Sequence, residues 1–184
     1  MFTIQLVIFI VGTILIVWVS RSSLKDVHNH GFYRFFAWEI IVIMFSLNVK
    51  YWFTDPFSFN QILAWAFLFI SLVLIFLGVK LFRQKGEIDY TRADPSLVGI
   101  EKTTELVKTG IYKYIRHPFY SSLIFLAWGI FFKQITWLGF LLAAAATIFL
   151  VITAKIEEGE NIEYFGEEYR EYKKDTKMFI PFVL

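Results

Sequence analysis

The sequence predicts an all-α integral membrane protein of about five transmembrane helices, with a long polar loop and a C-terminal helix on the cytosolic side. Three observations carry that expectation. Hydrophobic residues fill 57% of the 184 positions, against about 45–50% in soluble domains, and mean hydropathy is +0.57. The apolar residues gather in five blocks, roughly 2–19, 35–53, 62–82, 118–132 and 135–154, where a helix needs about 20 residues to cross the hydrocarbon core. The basic residues then alternate: with Lys50 and Lys80, at the ends of their blocks, counted with the adjoining connections, the six segments carry 0, 3, 1, 8, 1 and 5 Lys or Arg. Basic loops stay cytoplasmic. The N-terminus is therefore expected outside, and the long loop and C-terminus inside; four or six spans would break the alternation.

Taken in order, Met1 to Val19 lacks a basic leading segment and is followed by Ser20-Arg21-Ser22 rather than a small-x-small cleavage site, so it reads as a retained first span. The third and fifth blocks are the clearest spans, and the fourth is short. The stretch 83–104 is polar, holds Gly86, Pro95 and Gly99, and reads as an irregular loop. A loop of this length between packed elements is usually functional or disordered. Residues 157–177 are dense in charge and Tyr and read as a cytosolic helix that continues span five and breaks near Gly166. The whole chain, 1–184, is expected to form one membrane domain. Residues 1–82 hold three spans; 83–184 hold two spans, the loop and the C-terminal helix.

Several chemistries are excluded. With no Cys there are no disulfides, thiolate metal sites or cysteine nucleophiles. No two of the ten glycines lie two apart, so the dinucleotide fingerprint is missing, as is a phosphate loop. His28 and His30 sit two apart in the first cytosolic loop with no third ligand nearby, and interfacial solvation is the simpler reading. No metal and no nucleic-acid partner is expected.

Two polar groups stand at the edges of the apolar blocks. One is Gly110-Ile111-Tyr112-Lys113-Tyr114-Ile115-Arg116-His117-Pro118-Phe119-Tyr120, and the other is Glu157-Glu158 followed by Phe165-Gly166-Glu167-Glu168-Tyr169. Structurally, Arg116 can snorkel to headgroups and Pro118 suits a first helical turn. That reading leaves Tyr112, His117 and Tyr120 around one helix start unexplained. A helix N-terminus flanked by Arg116 and His117 suits a carboxylate or phosphate. Glu157 and Glu158 suit an ammonium or sulfonium, or else a solvated helical turn. A pocket with both ends and aromatic walls fits an amino-acid-bearing nucleotide such as S-adenosylmethionine.

The order Leu106-Val107, Gly110-Ile111-Tyr112, Arg116-His117-Pro118, Tyr120, then Glu157-Glu158, Phe165-Gly166-Glu167-Glu168-Tyr169, Tyr172 and Ile180-Pro181 resembles the isoprenylcysteine carboxyl methyltransferase family and, less fully, the related phospholipid methyltransferases. The resemblance covers about 105–181. It implies a membrane enzyme that binds S-adenosyl-L-methionine in the cytosolic loop region and methylates a membrane lipid or a lipophilic, prenylated acceptor, with O-methyl transfer foremost. It further implies a cofactor site formed by Thr104, Glu105, Leu106, Val107, Tyr112, His117, Pro118, Phe119, Tyr120 and Glu157, with Thr104, Glu105 and Phe119 carried by position alone. Arg116, His117 and Glu158 are the expected catalytic residues.

The family places an Arg one turn before the first Glu to hold a substrate carboxylate, and this chain has Thr153 there. Lys155 points about 200° away on an ideal helix. Thr153 thus marks the expected acceptor position and leaves its chemistry open between carboxylate, amine and hydroxyl. Glu39, an acid within span two, is a second acceptor-side candidate, with an interfacial position as its structural alternative. Amine N-methylation of a phospholipid and a non-catalytic scaffold or sensor that keeps the cofactor pocket are the competing readings.

Overall fold

The computed structural model describes residues 1–85 and 105–181. Among these residues six helices follow one another: α1 (Phe2–Ser20), α2 (His30–Asn48), α3 (Phe59–Lys85), α4 (Pro118–Lys133), α5 (Trp137–Phe165) and α6 (Glu167–Asp175). Single 3-10 turns occupy Ser23–Lys25, Val49–Tyr51 and Gly110–Lys113. Among the described residues there is no strand; a single bridge joins Ile115 to Lys177.

Local chemistry sets the boundaries. The Asn29 side chain accepts the Phe32 N–H at 3.0 Å and starts α2, five residues before the apolar block begins. Asn48 ends that helix by donating back to the Met44 carbonyl at 2.9 Å. Pro118 sits in the first turn of α4, where its missing N–H leaves nothing unpaired. Thr136 caps α5 through the Gly139 N–H at 3.0 Å. Helix α5 stops at Gly166, which has φ +61, a left-handed conformation that glycine adopts without penalty; α6 begins at the next residue. The expected break of the tail helix near Gly166 therefore appears. Helix α3 runs to Lys85, so the region read as loop from residue 83 begins as helix; residues 86–104 lie outside the described residues.

Four helices, α1, α2, α3 and α5, are long and apolar enough to cross a membrane. The fourth apolar block forms α4, which has only 16 residues, about 24 Å at 1.5 Å per residue. Together they make an all-α membrane protein. Helix α3 lies along α4, and α2 along α5, with α4 and α5 in contact between them. Gly129 on α4 permits the close approach of Leu68 on α3, since a Cβ there would stand 2.9 Å from the Leu68 side chain. Met44, Leu68, Ala127, Ile130, Ala143 and Ala146 fill the core on one side of the bundle. Ala37, Tyr120, Leu150, Ala154 and Phe179 fill it on the other.

Helix α1 packs on α2 alone among its larger contacts, and its only buried residue is Ser20. Polar contacts attach it: Gln5 Nε2 to the Leu47 carbonyl at 3.2 Å, Ser46 Oγ to the Gln5 carbonyl at 3.0 Å, and Thr13 Oγ1 to Glu39 Oε2 at 2.9 Å. Polar side chains commonly join helices where lipid supplies no hydrophobic drive.

After α6 the chain turns back along the approach to α4. Lys177 N–H reaches the Tyr114 carbonyl at 3.0 Å, Arg116 N–H the Lys177 carbonyl at 2.8 Å, and His117 N–H the Met178 carbonyl at 3.1 Å. This strap carries Phe179 into the core, where it is 3% exposed.

Candidate functional site

The N-terminal ends of α2 and α4 meet the C-terminal part of α5, and α6 with its strap closes over them. The meeting point brings Arg116, His117 and Tyr120 against Glu157 and Glu158. The two glutamates have different surroundings. Glu158 is 2% exposed. Its Oε1 lies 2.6 Å from Arg116 Nε and 3.4 Å from His117 Nε2, and its Oε2 lies 2.6 Å from Lys173 Nζ. Both oxygens are thus occupied by cationic or potentially cationic donors, which is what a buried carboxylate requires. Glu157 keeps 17% side-chain exposure and lies 3.9 Å from His117 Nδ1; the Tyr120 hydroxyl donates to its Oε2.

Arg116 is held from several sides. Its Nη1 donates to the Thr176 carbonyl, and to the Lys173 carbonyl at 3.3 Å. Its charge is turned toward Glu158 and the end of α6. The His117 and Tyr120 rings stack with centroids 5.4 Å apart, and Phe179 lies 6.1 Å from His117 on another side. Tyr172 donates to the Tyr112 carbonyl at 2.7 Å. Burial pushes the Tyr172 phenol up. Burial, then the charges of Glu157 and Glu158, does the same for Tyr169. Both phenols therefore stay protonated at neutral pH.

The other expected site residues fall around this cluster or outside it. Val107 and Pro118 are buried, Leu106 is half-buried and Glu105 is exposed; Thr104 lies outside the described residues. The Phe119 ring packs toward Gly78 of α3. Thr153 is fully buried, and its hydroxyl donates to the Phe149 carbonyl one turn back at 2.8 Å. Glu39 bonds Thr13 on α1. It lies about 200° around α2 from Ala37, which packs against Tyr120 and Leu150.

Three contributors escape the motif reading. His28 is solvated beside Asp26, but His30 is fully buried rather than at an aqueous interface. Its Nδ1 lies 2.5 Å from Glu160 Oε2 and its N–H 3.0 Å from Oε1, so Glu160 ties the start of α2 to α5. Arg34, one turn on, is 3% exposed with its guanidinium 4.9 Å from the Trp38 ring centre. Phe179 forms part of the wall beside His117. A signal existed for the first two: an Asn N-cap followed by His and Arg at i and i+4 places both on one helix face.

An apolar cavity of about 360 Å³ adjoins the cluster, lined by residues of α3, α4, α5 and the strap. Phe179 and Ser121 close it on the cluster side; the Ser121 hydroxyl is spent on the His117 and Phe179 carbonyls at 2.9 and 2.8 Å. No group of three or more potential metal ligands occurs among the described residues.

The phospholipid methyltransferase family model matches residues 62–168, the stretch from the start of α3 to the end of α5 that carries both halves of the cluster. The chain belongs to that family. It is 34% identical over 115 residues to methanethiol S-methyltransferase 1 of Bradyrhizobium diazoefficiens, covering 61% of this chain and 39% of that protein. It is 30% identical over 119 residues to the methanethiol S-methyltransferase of Pseudomonas deceptionensis, covering 65% and 42%. The protein-S-isoprenylcysteine O-methyltransferase of Saccharomyces cerevisiae is 36% identical over 85 residues, covering 42% and 33%. The chain spans about two-fifths of the length of the first two relatives. No solved structure matches. This family member carries a carboxylate-bearing cluster at one end of its helical bundle.

Proposed function

We propose that the protein is an S-adenosylmethionine-dependent methyltransferase whose acceptor carries an apolar arm. The observation that carries this reading is one polar cluster, with an accessible carboxylate, sharing the wall residue Phe179 with an apolar cavity. The donor set suits the methyl donor: Glu157 offers a carboxylate to an ammonium, and the buried, stacked His117 and Tyr120 rings back it. When bound, S-adenosylmethionine supplies a methyl group already activated on a sulfonium. The protein's remaining tasks are alignment and exclusion of water. Glu158, Arg116 and Lys173 fix α4, α5 and α6 relative to one another, so that His117 and Tyr120 hold still beside Glu157. The core around Tyr120, Leu150 and Phe179 keeps water from the cavity side.

The acceptor's nucleophile forms a bond to the methyl carbon as the carbon–sulfur bond breaks. A carboxylate acceptor would need a cation, and the position one turn before Glu157 holds Thr153, whose hydroxyl is bonded within its own helix. That favours a second reading of the acceptor as a thiol, in keeping with relatives that are named for methanethiol. A thiol must lose a proton, and in this reading His117 receives it.

Transfer of a labelled methyl from S-adenosylmethionine to parallel panels of alkanethiols, prenylcysteine analogues and phosphatidylethanolamine tests the reading. The expected result is label on thiols ahead of carboxylates. Label on none of the three overturns the proposal; label on phosphatidylethanolamine alone replaces it with amine N-methylation.

A further inference from the structure

The apolar cavity has two ends, and only one belongs to the cluster. On α4 its lining runs from Ser121 through Ile124 and Phe125 to Trp128. The seven steps from Ser121 to Trp128 span about 10 Å at 1.5 Å per residue, a third of the ~30 Å hydrocarbon core. At the far end Trp128 Nε1 donates to Thr147 Oγ1 at 3.2 Å, tying α4 to α5 across the cavity. Thr147 is itself fixed by donating to the Ala143 carbonyl at 2.8 Å. Behind the indole stand Phe131, Phe132 and Phe140, with ring centroids 5.5, 6.4 and 5.9 Å away. The far wall is therefore a hydrogen-bonded indole backed by three rings, while the near wall is Phe179 of the strap beside Ser121 of α4.

We propose that Trp128, anchored on Thr147, is the end stop of this cavity and limits the accepted apolar arm to about 10 Å. The proposal rests on the reading of the cavity as the acceptor site. An indole bonded at its N–H and packed against three rings has little freedom to swing aside. A chain that enters at the cluster end by displacing the Phe179 ring meets it head-on. The arm is uncharged: the exposed cavity lining is wholly apolar, and a charged group placed there would lose its solvation without a partner.

The chain has no cysteine, so a single Val151→Cys substitution places a unique thiol in the cavity wall. Its rate of reaction with N-ethylmaleimide is measured in the detergent-purified protein with linear alkanols from butanol to tetradecanol as probes. Protection is expected to rise with length, reach a cut-off and then be lost. Trp128→Ala is expected to move the cut-off to longer alkanols and Trp128→Phe to leave it nearly in place. Should Trp128→Ala fail to fold, Ile124→Trp, which fills the cavity nearer the cluster, is expected to shorten the cut-off. Protection that grows without a cut-off would mean a groove open to lipid and overturns the proposal. So would a cut-off that neither Trp128→Ala nor Ile124→Trp moves, or no protection at any length. An S-adenosylmethionine titration on the same Val151→Cys protein separates the two failures, because lack of cofactor binding counts against the methyltransferase reading and not against the end stop.

Discussion

The two ends of the helical bundle both bury charge, and they do so differently. At the end opposite the cluster, Lys133 closes α4 with 2% exposure. Its Nζ lies 2.9 Å from Gln61 Oε1, 3.3 Å from the Trp52 carbonyl and 3.4 Å from the centre of the Trp65 ring. Gln61 in turn donates to the Tyr51 and Lys133 carbonyls at 3.0 and 3.2 Å. The described partners of this cation are neutral, and they account for its three N–H groups. At the cluster end, Glu158 is also paired at both oxygens, by Arg116 and Lys173, but its neighbour Glu157 keeps 17% side-chain exposure. A buried charge whose bonding capacity is filled by the fold acts as a fastener; one left partly open beside a cavity can meet a ligand. The comparison separates Glu158 from Glu157 as clearly as it separates one end of the bundle from the other.

The largest loss of stability is expected at Arg116. Removing one partner of a buried ion pair strands the other, which typically costs about 3–5 kcal/mol. Arg116→Ala is therefore expected to lower thermal stability more than any other single change at either end, as read by the melting temperature in detergent. A small shift would mean that Lys173 and His117 alone satisfy Glu158. Lys133→Met comes next. It leaves Gln61 Oε1 and the Trp52 carbonyl without a donor, and a cost of about 1–3 kcal/mol is expected, with unchanged affinity for S-adenosylmethionine. Loss of cofactor affinity in this variant would show that the two ends are not independent.

Glu157→Gln sharpens the contrast from the other side. It keeps the shape and the contact with Tyr120 while removing the charge, so cofactor affinity is expected to fall tenfold or more, about 1.4 kcal/mol. Stability should change little, because Glu157 fastens fewer elements than Glu158. A large drop in stability without loss of affinity would reverse the roles given to the two residues. The smallest effect is expected at the rim, where Lys108 Nζ and Glu168 Oε1 lie 2.6 Å apart with side chains 42% and 56% exposed. Exposed pairs contribute about 0–1 kcal/mol, and Lys108→Ala should leave both melting and binding near the wild type.

Much of this was legible in the sequence where the signal is local. The helix blocks follow from apolar run length, the start of α4 from Pro118 and the end of α5 from Gly166. The juxtaposition of Arg116-His117-Tyr120 with Glu157-Glu158 was expected from the basic-residue alternation and the order of the two motifs. Contacts made across long separations were not legible. His30 looks like an interfacial residue until Glu160, on another helix, is seen to cap it. The division between Glu157 and Glu158 depends on Lys173 of α6, whose approach no local pattern encodes. Phe179 lies in a short tail with no periodicity, and only the pairing of the strap with residues 114–117 carries it beneath His117. Thr153 stands in the sequence where a cation would be looked for, but nothing local encodes whether its hydroxyl turns to a ligand or, as here, back to the Phe149 carbonyl.

The central claim is that the Glu157 end, and not the Lys133 end, binds a methyl donor. Calorimetric titration of S-adenosylmethionine into the purified wild type, Glu157→Gln, His117→Ala and Lys133→Met proteins tests it most directly. One saturable site is expected in the wild type, weakened at least tenfold in Glu157→Gln and His117→Ala and unaltered in Lys133→Met. Absence of binding at millimolar cofactor, or equal affinity in all four proteins, would contradict it.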